Sequence, residues 1–230
     1  MNGFLQWLQQ LNLDSVYSTL LIVLASLLCI TVHESCHGLV AYWLGDPTAK
    51  RAGRLTLNPI KHIDPVGLVM MAVFKFGWAK PVPVDMRYFK NPKKGMALTA
   101  LAGPASNVLL AYGMLLVRSV LVFFFTTNMS RTLATAITFT EYTALISTGL
   151  AIFNLIPVSP LDGSKILMAF LPQKAYATLM QYERYGMLLV MALLFVGVFD
   201  KPLILLRSGL MSILMEFSAF PFTLLQHMFG

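Results

Sequence analysis

Residues 16–44 read VYSTLLIVLASLLCITVHESCHGLVAYWL, an apolar run interrupted by one cluster, His33-Glu34-Ser35-Cys36-His37. At about 1.5 Å of rise per residue the run is long enough to cross a hydrocarbon layer of about 30 Å. It predicts a transmembrane helix. Histidine and glutamate are costly in hydrocarbon, so their presence there marks a functional site. Residues four apart share one helix face, so His33 and His37 can offer two nitrogens to a single tetrahedral zinc ion. Glu34 projects beside them, where it can polarise a bound water and carry its proton. Metal-dependent hydrolysis inside a membrane is the expected chemistry.

The composition agrees with a membrane setting. Of 230 residues, 57% are hydrophobic and 12% charged, too apolar for a soluble domain. Mean hydropathy is +0.71. A net charge of +7 raises the question of nucleic acid, but ten of the seventeen Lys and Arg residues fall in one loop, as membrane topology demands. No nucleic-acid partner is expected. Cys29 and Cys36 both lie in the first span, where small apolar packing is the expected role. Residues 1–12 lack basic residues and the apolar run after them is too long for a signal-peptide core, so no cleavable signal is expected.

Outward from the first span, the chain reads as one membrane-embedded domain, residues 1–230, with a core of about 16–163. Phe4, Trp7 and neighbouring leucines suggest a short interfacial helix over 1–12. Residues 45–95 form a basic loop in which Arg54–Leu57 and Pro81–Val84 read as short extended pieces, and Val66–Phe74 as a re-entrant or interfacial segment too short to span. Further spans are expected at Met96–Phe125, Glu141–Pro157 and Tyr185–Phe199. Ser164–Arg184 reads as surface-lying helix, and Leu203–Phe229 is a candidate fifth span weakened by Arg207, Glu216 and Pro221. The fold class is therefore all-α polytopic, with four clear spans, a candidate fifth, and a small membrane-associated β or re-entrant segment between the first two. The positive-inside rule places the loop between spans one and two in the cytoplasm and the amino terminus outside. Lys165, Lys174 and Arg184 follow the third span and fall on the same side.

A catalytic zinc needs a third protein ligand and one open position. The ten acidic residues supply few candidates. His37 lies roughly 10 Å inside the cytoplasmic end of its helix, from about 1.5 Å per residue. Asp162 follows the third span, which ends on that side, whereas Asp14 and Glu141 lie at the opposite face. Topology selects Asp162. A purely structural histidine pair would leave Glu34 unexplained, and Cys36 as a fourth ligand would close the open position. His62 reads as a loop-stabilising hydrogen bonder.

Several further motifs follow in order: Gly103-Pro104-Ala105-Ser106-Asn107, then Asn154-Leu155-Ile156-Pro157 leading to Leu161-Asp162-Gly163, with Asn58-Pro59 through Val66-Gly67 and Gly77-Trp78 through Val84 between the first two spans. Together with the first-span cluster, these resemble the site-2 protease family of intramembrane zinc metalloproteases, in its compact form without PDZ or CBS domains. The resemblance covers about Ile30 to Gly186. It implies one zinc per chain bound by His33, His37 and Asp162, Glu34 as base, and transmembrane segments of other proteins as substrates. Ser164 departs from the family, where a second glycine often follows the aspartate-glycine pair.

Asn107 and Asn154 are uncharged donors in apolar helices. They are read either as helix–helix hydrogen bonders or as contacts to the substrate backbone or developing oxyanion. Val82 and Val84 lie on the extended piece where an unwound substrate could add as a strand. The expected protein is a multi-pass cell-membrane zinc endopeptidase with its active site near the cytoplasmic face. The rivals are a metal-dependent binding protein or chaperone of the same fold, which the intact glutamate disfavours, and a metal transporter, which would need ligands through both leaflets. The sequence does not specify the oligomeric state.

Overall fold

The structure, a computed structural model, describes residues 13–67, 79–127, 130–172, 186, 188–194 and 196–229. Its named helices are α1 (Leu13–Trp43), α2 (Thr48–Arg51), α3 (Pro92–Thr127), α4 (Arg131–Asn154), α5 (Asp162–Met168), α6 (Asp200–Ser218) and α7 (Phe220–Phe229). Single 3₁₀ turns occupy Pro59–Lys61 and Met86–Tyr88. Four stretches are long and apolar enough to cross a membrane: Val16–Trp43, Pro92–Thr126, Arg131–Asn154 and Asp200–Met228. The chain is a multi-pass helical membrane protein.

Helices α1, α3 and α4 pack on one another and form the body of the bundle. Small side chains fill their contacts: Ala25, Cys29, Ala41, Ala100, Ala111, Thr143, Ala144, Ser147, Thr148 and Ala151 are buried. Lipid offers helices no hydrophobic drive to associate, so close backbone approach through small residues and interhelical hydrogen bonds replaces it. The Ser147 hydroxyl donates to the Asn107 carbonyl at 2.8 Å, joining α4 to α3 in this way. Large apolar side chains such as Leu20, Leu24, Leu109, Val117 and Leu205 face outward, as lipid requires. Near the far end, Arg118 of α3 lies 3.5 Å from Glu141 of α4.

Helix α1 ends in a Schellman motif. Gly45 takes φ 106°, the Asp46 N–H bonds the Ala41 carbonyl at 2.9 Å, and the Gly45 N–H bonds the Tyr42 carbonyl at 3.1 Å. Only a glycine adopts that φ cheaply, so the chain turns sharply into the loop here. Asp46 is fully buried and pins the turn. Its carboxylate accepts from the Thr48 N–H at 2.9 Å and from the Asp85 N–H at 2.7 Å.

The structure bears on three expectations, and the first needs correction. The third span begins at Arg131 rather than Glu141. Its threonines lower the hydropathy of the first turns but are satisfied within the helix: Thr135 and Thr138 each donate to a carbonyl four residues back. Second, Tyr185–Phe199 lies partly outside the described residues, and the four spans found among them do not include it. Residues 188–194 are helical, and 196–199 form a turn with Gly197 at φ 74°. Gly186 packs on the Ser159 carbonyl, and Gly149 faces Arg207 of α6. The fourth span found is the candidate fifth, broken at Ala219. The Ser119 hydroxyl accepts from the Phe222 N–H at 3.0 Å and satisfies the break.

Third, the small β segment is not found among the described residues. Extended pieces 54–57 and 81–84 form no ladder there, and the isolated antiparallel bridge is Ile63–Ala79. Pro81 and Pro83 lack the N–H groups a ladder needs. Side chains join these pieces instead. The buried Arg54 guanidinium donates to the Lys80 carbonyl at 2.5 Å and to the Pro81 carbonyl at 3.2 Å. Most of the re-entrant stretch Val66–Phe74, much of Ser164–Arg184 and the amino-terminal helix over 1–12 lie outside the described residues.

Candidate metal centre

His33 and His37 sit one turn apart on α1 and are each 7% exposed. Their Nε2 atoms are 3.0 Å from one another. Asp162 Oδ2 is 3.1 Å from each. These three donor atoms form a nearly equilateral triangle from residues far apart in sequence.

Asp162 reaches this position because α4 stops at Asn154 and the chain unwinds through 155–161 before α5 begins. Gly163 makes the approach possible: a Cβ there would lie 2.2 Å from the Leu155 carbonyl oxygen and 2.5 Å from that of Ile156. The Ser164 hydroxyl donates to the Leu161 carbonyl at 2.7 Å, closing the first turn of α5.

The donor set fits zinc. A tetrahedral zinc with bonds of about 2.0–2.1 Å holds its donors about 3.3 Å apart, close to the triangle observed. Two imidazoles and one carboxylate leave one position free, the composition of a catalytic rather than a structural site. Asp162 Oδ2 is buried without a hydrogen-bond partner of good geometry, although both Nε2 atoms are near it. Two ring nitrogens and a carboxylate oxygen this close together, the oxygen without a hydrogen-bond partner, suit a shared cation.

Helix α3 forms the wall behind the histidines. Thr99, Gly103 and Asn107, spaced four apart, share one face of it. The Thr99 carbonyl lies 2.7 Å from His37 Nδ1. A carbonyl only accepts, so Nδ1 carries the proton and Nε2 presents its lone pair to the triangle. A Cβ on Gly103 would lie 2.5 Å from Cε1 of both histidines. The glycine is what leaves room for the rings. Asn107 is fully buried, its Nδ2 is 3.2 Å from His33 Nδ1, and its Oδ1 has no partner.

Glu34 belongs to the same turn of α1 but points toward the loop. Its Oε2 accepts from the Val82 N–H at 2.9 Å. The carbonyl of that same peptide unit, on Pro81, accepts from Arg54, so the buried guanidinium orients the donor that meets Glu34. Ser35 and His62 brace the other extended piece, both placing a side-chain donor on the Thr56 carbonyl, at 2.8 Å and 2.9 Å. His62 is thus the loop hydrogen bonder expected from the sequence. Asp85 is accounted for locally: hydrogen bonds from Arg87 hold its carboxyl below the ordinary range.

The structure therefore brings together His33, His37 and Asp162, and brings Val82 onto Glu34. Val84 follows two residues on and is half-buried. Asn154 is also half-buried, and its Nδ2 donates to the Leu150 carbonyl within α4 at 3.0 Å. Cys36 is a free thiol outside the triangle. Sequence reasoning did not find the Val82 N–H as partner of Glu34, nor Thr99 and Arg54 as supports. Only Gly103 and Asn107 carried a signal, their shared helical spacing with Thr99.

Comparison with known proteins converges on one group. Residues 122–197 match the profile of Peptidase family M50. The chain is 40% identical over 202 residues to YwhC of Bacillus subtilis, provisionally named a zinc metalloprotease, covering 86% of this chain and 91% of that protein. It is 29% identical over 182 residues to Rip2 of Mycolicibacterium smegmatis, named in the same way, covering 76% of this chain and 66% of that one. No solved structure gives a significant match.

Proposed function

The chain belongs to peptidase family M50, the intramembrane zinc proteases, and from that premise we propose that His33, His37 and Asp162 hold the zinc and Glu34 acts as the base. The convergence of the three donor atoms within about 3 Å carries this reading. Substrates are transmembrane segments of other membrane proteins, cut in or near the bilayer. Bound zinc would supply Lewis acidity, lowering the pKa of water and polarising the scissile carbonyl.

The chain's own residues supply the rest. Glu34 takes the proton of the attacking water and returns it to the leaving amine. Its Oε2 is fixed by the Val82 N–H, which leaves Oε1 for proton transfer. The Thr99 carbonyl holds His37 in the tautomer that presents Nε2 to the metal. The extended stretch Val82–Val84 runs past Glu34, and a substrate strand laid along it would bring a peptide bond to the base. Asn154, half-buried at the point where α4 unwinds, is the asparagine we assign to the substrate backbone or oxyanion.

The site sits toward one end of the bundle, built from the last turns of α1, the first turns of α3 and the chain after α4. The concentration of basic residues between α1 and α3 makes that end cytoplasmic in our reading, with the amino terminus outside.

Glu34→Gln tests the assignment most directly. The variant should retain about one zinc per chain and lose cleavage of a single-span substrate, because Glu34 is a base and not a ligand. His33→Ala, His37→Ala and Asp162→Ala should each lose zinc as well. Tight zinc binding by Asp162→Ala would remove it from the ligand set.

A further inference from the structure

We propose that Asn107 is a positioning residue for zinc: its amide oxygen accepts the Nδ1–H of His33 and fixes the tautomer that presents Nε2 to the metal. The inference rests on the ligand assignment above. An imidazole that ligates through Nε2 must carry its proton on Nδ1, and a buried N–H needs an acceptor. For His37 that acceptor is the Thr99 carbonyl, 2.7 Å away. For His33 the polar group at hand is the Asn107 amide, 3.2 Å from Nδ1.

The amide as placed points Nδ2 at Nδ1, a donor facing a donor once His33 ligates zinc. Its Oδ1 is buried with no partner. A half-turn about the Cβ–Cγ bond exchanges the two ends and brings the unpartnered oxygen onto the Nδ1–H. Asn107 is 0% exposed, so the same amide has no open face toward a substrate backbone. The Ser147 hydroxyl, bonded to the Asn107 carbonyl at 2.8 Å, ties this point of α3 to α4.

Helix α3 thus holds both ligands from one stripe: Thr99 on His37, Asn107 on His33, and Gly103 between them leaving space for the rings. The sequence reading of Asn107 as a substrate or oxyanion contact makes a different prediction, and zinc binding separates the two.

The test compares wild type, Asn107→Leu and Asn107→Asp in detergent at one fixed pH. Zinc retention is read by titration with a competing chelator, and site geometry by the visible spectrum of the cobalt-substituted chains. Asn107→Leu should hold zinc about 10- to 100-fold less tightly, the usual cost of losing such a partner, and should broaden or shift the cobalt bands. Asn107→Asp keeps an acceptor and loses the donor, so it should restore both readouts to near the wild-type values. If Asn107→Leu holds zinc and gives the cobalt spectrum of wild type while losing turnover, the positioning role is refuted in favour of substrate contact. Equal loss of zinc in both variants also refutes it, since acceptance alone would then not suffice. A wild type that binds no zinc overturns this inference together with the ligand assignment.

Discussion

Replacing Gly103 with alanine adds one methyl group and should disable the metal centre. A Cβ at this position falls 2.5 Å from Cε1 of His33 and 2.5 Å from Cε1 and Nε2 of His37. Carbon atoms in ordinary contact are about 3.5–4.0 Å apart, so the rings must withdraw by about 1 Å. Metal–ligand distances tolerate only about 0.2 Å. Both rings are buried and His37 is held by the Thr99 carbonyl, so the strain falls on the arrangement that turns both Nε2 atoms toward Asp162. Overpacking of this kind costs about 1–3 kcal/mol. At 1.4 kcal/mol per tenfold, zinc affinity should drop roughly 5- to 150-fold. Chelator competition on the purified chain measures it. Gly113→Ala is the control, in the same helix with nothing within 4 Å of its added Cβ. That variant should keep wild-type zinc affinity and unfold at the same temperature or higher, since alanine is worth about 1 kcal/mol over glycine in a helix. A Gly103→Ala chain that binds zinc as tightly as wild type would refute the convergence of the two imidazoles against α3.

Two further outcomes test the loop and the topology. Val82→Pro removes the N–H that Glu34 accepts, so it should slow cleavage at unchanged zinc content, by up to the roughly 10²–10⁴-fold a general base contributes, while Val82→Ala keeps the N–H and stays near wild type. Full activity in the proline variant would show that the base is held by something else. In a background lacking Cys29 and Cys36, single cysteines at Lys93 and Lys165 should be shielded from an impermeant thiol reagent outside intact cells, and one at Arg131 should react; labelling at Lys93 from outside would invert the orientation.

Much of the candidate site could be read from the sequence because its logic is one-dimensional. His33 and His37 share a face by helical period, and Asp162 follows from counting membrane crossings. Those arguments depend on side-chain identity and on parity. What the sequence concealed depends on backbone groups and on absent atoms. The N–H of Val82 has no signature in its side chain, and neither does the Thr99 carbonyl. Hydropathy does not report where a segment begins and ends, and part of 185–199 lies outside the described residues. The contact of Gly186 with Ser159 and the turn at Gly197 are tertiary facts. The start of α4 was hidden for the opposite reason. Threonines read as polar by composition become apolar in effect once they bond their own helix.

The wide sequence separation within the donor triangle bears on how the protein comes into being. A ribosome adding about 5–20 residues per second needs roughly 6–25 s to pass from His37 to Asp162. Throughout that interval the nascent chain holds a two-histidine half-site, with the Asp162 arm not yet made. On the proposed ligand set, completing the three-ligand zinc site must therefore wait until α4 has entered the membrane and the chain has doubled back at 155–161. On that ligand set a half-inserted chain carries no complete zinc site. Cutting power then arrives only with the return of the chain after α4, late in synthesis rather than with the first helix.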